Sequence, residues 1–246
     1  MTPQRTIKVY DSADELYRAA SALVAAQLAA AINERGRALV ALSGGSLTTR
    51  LYPLLANPPW RDQIDWGGLS MLFADERYVP FDDAENTYRA TRQTLLDHVP
   101  VQADQVFPAP TYYRDPEQAA AIYQQQAAAL LAAHGGAFDV VLLGMGPDGH
   151  TASLFPRHPA LTAPADRLVV VVRDSPKPPP LRLSLTPAAL NAARAVIFVV
   201  SGADKAAAVA AAVAEMGDSL DQPTRLIQPA GGRIYWLIDR AANSQG

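Results

Sequence analysis

Residues 138–150 read FDVVLLGMGPDGH, an apolar run that stops abruptly in glycine, proline, aspartate and histidine. Phe138 to Leu143 has the near-continuous aliphatic character of a strand buried on both faces of a parallel sheet. The same pattern recurs along the chain. Arg37 to Leu42 runs into Ser43-Gly44-Gly45-Ser46, Leu69 to Ala74 into Asp75-Glu76-Arg77, and Ala195 to Val200 into Gly202 to Lys205. Ile7 to Tyr10, Leu168 to Val172 and Arg233 to Ile238 are further apolar strands.

Helical segments separate them. Ser12 opens one, with Glu15 completing a capping box and Gly36 closing it. Leu47 to Ala56 is a second, broken by Asn57-Pro58-Pro59, and Asn86 to Asp97 a third. Pro116 stands at the first helical position of the run to Ala133, and Asp204 to Glu215 is the last. Alternating strands and helices predict a mostly parallel α/β sheet with helices on both faces, in a single domain spanning residues 1–246. Proline-rich Ser175 to Pro180 reads as a rigid loop within that domain.

Composition narrows the function. The 246 residues are 49% hydrophobic with a net charge of −3, which excludes a disordered chain and a general nucleic-acid binder. An anionic ligand must be met by a local cluster of Arg and Lys. Absent cysteine excludes thiolate nucleophiles and Cys-ligated metals, and suits a reducing cytoplasm. Met1 to Tyr10 has no apolar signal-peptide core, and Ser21 to Ile32 is too short to span a bilayer. Of 21 basic residues only Lys8, Lys177 and Lys205 are lysines.

The polar motifs all follow strands, and the carboxyl ends of parallel strands are where a ligand crevice forms. Ser43 to Ser46 joins strand to helix without a Walker lysine; it serves either as a tight turn or, with Arg50 one turn on, as a phosphate cradle. Gly144 to Gly149 fits G-x-G-x-x-G, but Asp148 would repel a pyrophosphate, Pro147 lacks an N–H, and the motif does not open the first βαβ unit. The better reading is a turn presenting Asp148 and His150, the latter as general base or acid. His98, His134 and His158 read as surface residues, and no ligand spacing indicates a metal site. Arg77, beside Asp75 and Glu76, is a candidate for holding a substrate anion or oxyanion. Lys205 is a candidate phosphate contact in the first turn of its helix.

Gly144-Met-Gly-Pro-Asp-Gly-His-Thr-Ala-Ser-Leu-Phe-Pro156 resembles the signature of the 6-phosphogluconolactonases, within the glucosamine-6-phosphate isomerase/6-phosphogluconolactonase superfamily. Ser43 to Ser46 and Asp75 to Pro80 precede it in the family's order, and Pro178 to Thr186, Ser201 to Ala206 and Trp236 to Asp239 follow. The related deaminases share the glycine-serine turn and the Asp-Gly-His but continue differently after His150. The resemblance implies a three-layer α/β/α Rossmann-like sheet and a sugar-phosphate lactone as substrate, with no cofactor, metal, nucleic acid or membrane. The protein would be a cytoplasmic monomer or small homo-oligomer. His150, Asp148, Arg77 and Asp75 would form the catalytic set. Ser43, Gly44, Gly45, Ser46, Arg50, Asn86, Gly146, Arg182 and Lys205 would hold the substrate and its phosphate. Two positions depart from the family pattern: Leu47-Thr48 stands for Thr-Pro, and Glu85-Asn86 for Ser-Asn. A ring-opening sugar-phosphate deaminase, a non-catalytic sugar-phosphate sensor and an NAD-dependent enzyme are the competing readings.

Overall fold

The computed structural model describes residues 2–214 and 217–244. In chain order the regular elements are β1 (Gln4–Tyr10), α1 (Ala13–Arg35), β2 (Ala38–Leu42), α2 (Tyr52–Leu55), β3 (Leu69–Phe73), β4 (Asp75–Arg77), α3 (Thr87–Thr94) and β5 (Val106–Phe107). They continue with α4 (Pro116–Ala133), β6 (Val140–Leu143), β7 (Val169–Val172), β8 (Arg182–Leu185), α5 (Pro187–Asn191), β9 (Ala195–Val200), α6 (Ala206–Val213) and β10 (Arg233–Asp239).

Seven strands form the main sheet in the order β1-β10-β9-β6-β2-β3-β5, and every pairing in it is parallel. Side chains alternate across a strand, so each buried strand feeds two cores. Val40, Leu42, Met71, Phe73, Val140 and Leu142 pack with α1 and α2 on one face. Leu39, Ala41, Leu72, Val141 and Leu143 pack with α4, α5 and α6 on the other. The result is the expected three-layer α/β/α arrangement. No helix among the described residues is long and apolar enough to cross a membrane.

Chain direction through the sheet reverses between β2 and β6. From β2 the chain builds outward through β3 to β5; from β6 it builds the other way through β9 and β10. Such a reversal splays the loops at the strand carboxyl ends apart and opens a crevice there. Ser43 to Ser46 and Gly144 to His150 follow directly on those two strands.

Several local expectations need correction. Leu168 to Val172 does form a strand, but β7 belongs to a separate antiparallel sheet of order β4-β8-β7. Ala74 is the branch point: its N–H bonds Leu42 of the main sheet at 2.7 Å, and its carbonyl accepts from Leu185 of the small one at 2.7 Å. The second helix opens as a π turn over Leu47–Leu51, where the Tyr52 N–H reaches back five residues to the Leu47 carbonyl. Pro53 follows it in the first turn of α2 and has no N–H to give to a carbonyl four residues back. Ser12 caps α1 by accepting from the Glu15 N–H, but the Glu15 carboxylate returns to the Asp11 N–H, one residue outside the capping box. His134 is buried, capping α4 with Nδ1 on the Leu130 carbonyl. The last helix starts as a 3₁₀ turn, and its expected end at Glu215 lies outside the described residues.

β4 places its three polar residues on alternating sides. Glu76 points inward, is fully buried, and accepts N–H groups from Arg77, Thr87 and Tyr88 at 2.8, 2.8 and 2.9 Å. It therefore seats the amino end of α3. Burial pushes its carboxyl up to about 7 against those three donors, and the Asp75 charge adds to the rise. A raised native pKa makes this contribution to stability complete below about 4.5 and lost as pH climbs toward about 7. Denaturant unfolding at pH 5 and pH 8 checks this. Wild type should lose on the order of 3 kcal/mol more than Glu76→Gln across that interval, whatever the offset between them at pH 5. Parallel pH dependence of the two proteins would contradict the assignment.

Candidate active site

The crevice at the β2/β6 reversal is a cleft of about 320 Å³. Ser43 to Ser46, Asp75, Arg77, Gly146, His150, Arg182 and Lys205 all line it, from elements far apart in sequence.

At its centre is a turn built for one side-chain pair. Gly146 accepts from the Gly149 N–H at 3.0 Å and donates its own N–H to the His150 carbonyl at 2.9 Å. Pro147 occupies the second turn position, and Gly149 takes a φ of +79°. The turn brings His150 Nδ1 to 2.5 Å from Asp148 Oδ1. A Cβ on Gly146 would fall 2.1 Å from the imidazole and 2.6 Å from that carboxylate, so only glycine leaves room for the pair. Phe155 lies against the other side of the ring, centroids 4.7 Å apart.

Asp148 does not itself line the cleft but stands behind His150. Partial burial alone would raise its carboxyl. The hydrogen bond and charge of His150, joined by Lys177, outweigh that and hold it well below the usual carboxylate range. Asp148, as an acceptor beside Nδ1, favours the proton there, which in the neutral ring leaves the lone pair on Nε2. Nε2 has no hydrogen-bond partner among the described residues.

The residues after His150 brace this arrangement. Thr151 donates its hydroxyl to the Gly144 carbonyl at 2.8 Å, and Ala152 takes a φ of +47°. Ser153 is fully buried and donates to Asp75 at 2.7 Å, tying the turn to β4. Asp75 and Arg77 face the cleft because Glu76 between them faces away. Arg77 spends Nη1 on the Glu85 carbonyl at 2.9 Å, with the Glu85 carboxylate 3.6 Å away, and its Nε and Nη2 have no partners among the described residues. Glu85, where the family has serine, thus touches Arg77 chiefly through backbone that any residue supplies.

Lys205 reaches across from the end of β9 and donates to the Met145 carbonyl at 2.8 Å, leaving further N–H donors. Burial lowers its pKa, partly offset by Asp204. Asp239 anchors the Lys205 loop, accepting from Ser201 Oγ at 2.5 Å and from the Gly202 N–H at 3.2 Å. On the β2 side, Ser43 turns its hydroxyl onto the Leu142 carbonyl at 2.7 Å. Gly44 packs so closely on Thr87 that a Cβ would touch it at 3.0 Å. The N–H groups of Gly44, Gly45 and Ser46 have no partner among the described residues. The departures from the family pattern fall behind this loop: Leu47 is buried in the core, and Thr48 bonds the Gly45 carbonyl.

Three expected ligands have their polar groups engaged by the protein itself. Arg50 is carried off the cleft by the π turn, pairs with Asp14 at 2.6 Å and stacks over Tyr17. Asn86 is buried as the cap of α3, accepting from the Arg89 N–H, and its neighbour Thr87 lines the cleft instead. Arg182 lines the cleft, but most of its donors are spent on protein acceptors.

Lys177 lines the cleft and was not anticipated. Its ammonium lies 3.3 Å from His150 Nδ1 and 3.7 Å from Asp148. The available signal was compositional, a lysine on a rigid proline loop in a chain whose usual cation is arginine. Arg77, Lys177, Arg182 and Lys205 thus face Asp75 and Asp204 across the cleft, a local positive surplus in a chain of net charge −3.

A parallel-sheet crevice holding a cationic rim and an Asp-His pair suits acid–base chemistry on an anionic substrate. The family model described as glucosamine-6-phosphate isomerases/6-phosphogluconolactonase matches residues 11–236, so the chain belongs to that family. It is 39% identical to a 6-phosphogluconolactonase of Synechocystis over 98% of both chains. It is 40% identical to the human 6-phosphogluconolactonase, covering 96% of this chain and 92% of that one. The structure of a 6-phosphogluconolactonase from Trypanosoma brucei superposes with a TM-score of 0.82 at 29% identity, covering 100% of this chain and 99% of that one.

Proposed function

We propose that the protein hydrolyses 6-phospho-D-glucono-1,5-lactone to 6-phospho-D-gluconate, the lactonase step of the oxidative pentose phosphate pathway. The observation that carries this reading is the Asp148–His150 pair, whose unpartnered Nε2 belongs to a cleft rimmed by cations.

His150 Nε2 takes a proton from water as the water oxygen attacks the lactone carbonyl. The tetrahedral intermediate carries an oxyanion, met by Arg77 and backbone N–H groups. As it collapses, the bond to the ring oxygen breaks and Nε2 returns its proton to that oxygen, which leaves as a hydroxyl. Asp148 holds the ring in the working tautomer throughout, as a carboxylate does in other histidine-based hydrolases. The phosphate is held by the N–H groups of Gly44, Gly45 and Ser46 together with Lys205. Acid–base help of this kind contributes roughly 10²–10⁴-fold, and an oxyanion donor about 10²–10³-fold. A lactone is an activated ester, so these terms suffice without a covalent intermediate. Its charged phosphate confines the substrate to the cytoplasm, where we place the enzyme.

Lactone opening measured against the uncatalysed blank tests the reading, with the lactone generated in situ and the product oxidised by a coupling dehydrogenase. Acceleration should scale with protein and fall by about 10²-fold or more in His150→Ala, while 6-phosphogluconate still binds. A rate equal to the blank, with ammonia released from glucosamine 6-phosphate, would place the chain among the deaminases instead.

Gly146→Ala is a sharper geometric test. The added methyl must displace the imidazole, and a displacement near 1 Å costs on the order of 10²-fold. kcat should fall by about that factor with the fold intact by circular dichroism. Unchanged kcat would mean that the position of His150 is not limiting.

A further inference from the structure

Arg182 opens β8 and is only 4% exposed. Its Nε donates to the Pro179 carbonyl at 3.2 Å, and Nη2 donates to the carbonyls of Lys177 and Pro178, each at 3.2 Å. Nη1 reaches Ser153 Oγ at 3.5 Å. A guanidinium has five N–H donors, so a single one is left for any ligand. Bidentate grip on a phosphate needs two. Arg182 makes no direct ion pair among the described residues; Asp75 acts on its charge from behind Ser153, and its remaining bonds go to backbone carbonyls.

Those carbonyls need an outside donor. Pro178, Pro179 and Pro180 have no N–H, so the loop cannot bond itself in the usual way. It is closed by the Ser175 N–H on the Pro180 carbonyl at 3.0 Å, and Ser175 Oγ holds Lys177 by donating to its carbonyl and accepting its N–H. Arg182 supplies the rest. Lys177, fixed in this way, sets its ammonium against Asp148 and His150. The guanidinium also lies over Phe155, the ring that backs His150.

We infer that Arg182 is a positioning residue and not a ligand of the substrate phosphate: its buried fork clamps the 177–179 backbone so that Lys177 stands at the Asp148–His150 pair. Its rate consequences rest on the lactonase reading; its geometry does not.

A double-mutant cycle tests it, with kcat for lactone opening and the dissociation constant for inorganic phosphate as readouts. Arg182→Lys keeps the charge and loses the fork, and should lower kcat about tenfold or more. In a Lys177→Ala background the same substitution should change neither readout by more than about twofold, because the residue it acts through is gone. A further tenfold loss of phosphate affinity in that background would make Arg182 a ligand and overturn the inference.

Should the Arg182 variants fail to fold, Ser175→Ala decides. Ser175 does not line the cleft, yet its loss should lower kcat severalfold in wild type and leave Lys177→Ala unchanged. An unaltered kcat would overturn the clamp. Should wild type itself show no lactone opening, the lactonase reading falls and the clamp is read by NMR. Arg182→Lys must then displace the His150 imidazole resonances as Lys177→Ala does, and unmoved resonances reject it.

Discussion

The cleft depends on one short hydrogen bond, from His150 Nδ1 to Asp148, made inside a turn where Gly146 presents no side chain. Remove that steric allowance and neither residue can occupy its place. Around the bond the structure has few free choices. Thr151 ties the turn back to Gly144, Ser153 ties it to Asp75, and Phe155 closes the far side of the ring. A base on a loop is thereby held as firmly as one on a strand, which is what a near-attack geometry requires.

Charge is arranged on two scales. The whole chain is slightly acidic, yet the cleft gathers Arg77, Lys177, Arg182 and Lys205 from three separate stretches of sequence. Parallel topology makes this possible, because every main-sheet strand ends on the same edge and the order reverses between β2 and β6. The small antiparallel sheet adds a second layer of control. It carries Asp75 and Arg77 on β4 and Arg182 on β8, in register as Arg77 opposite Arg182. Two arginines paired across strands repel; Arg182 turns to the carbonyls of the proline loop, and Arg77 keeps donors for a ligand.

Much of this was legible in the sequence, for a physical reason. Strands buried on both faces must be apolar throughout, so β2, β3, β6, β9 and β10 stand out, and the polar residues after them mark the sheet edge. β4 and β8 were not legible as strands, since Asp-Glu-Arg and Arg-Leu-Ser-Leu carry no such run. The π turn at Leu47–Leu51 carries no signal in the sequence, and Arg50 within it pairs with Asp14 outside the cleft. Proximity of Arg182 to the cleft followed from its motif; how its donors are spent did not, because that is set by the carbonyls of a loop folded against it. Lys177 carried only a compositional hint.

The most direct measurement is the tautomer of His150 by nitrogen-15 NMR of the imidazole in the resting enzyme, with the ring in its neutral form. The Asp148 contact favours a proton on Nδ1, in a hydrogen bond to that carboxylate, and a bare Nε2. In Asp148→Asn that preference should weaken. A neutral ring protonated on Nε2 in the wild type would contradict the role given to the pair, since the nitrogen meant to accept a proton from water would already carry one.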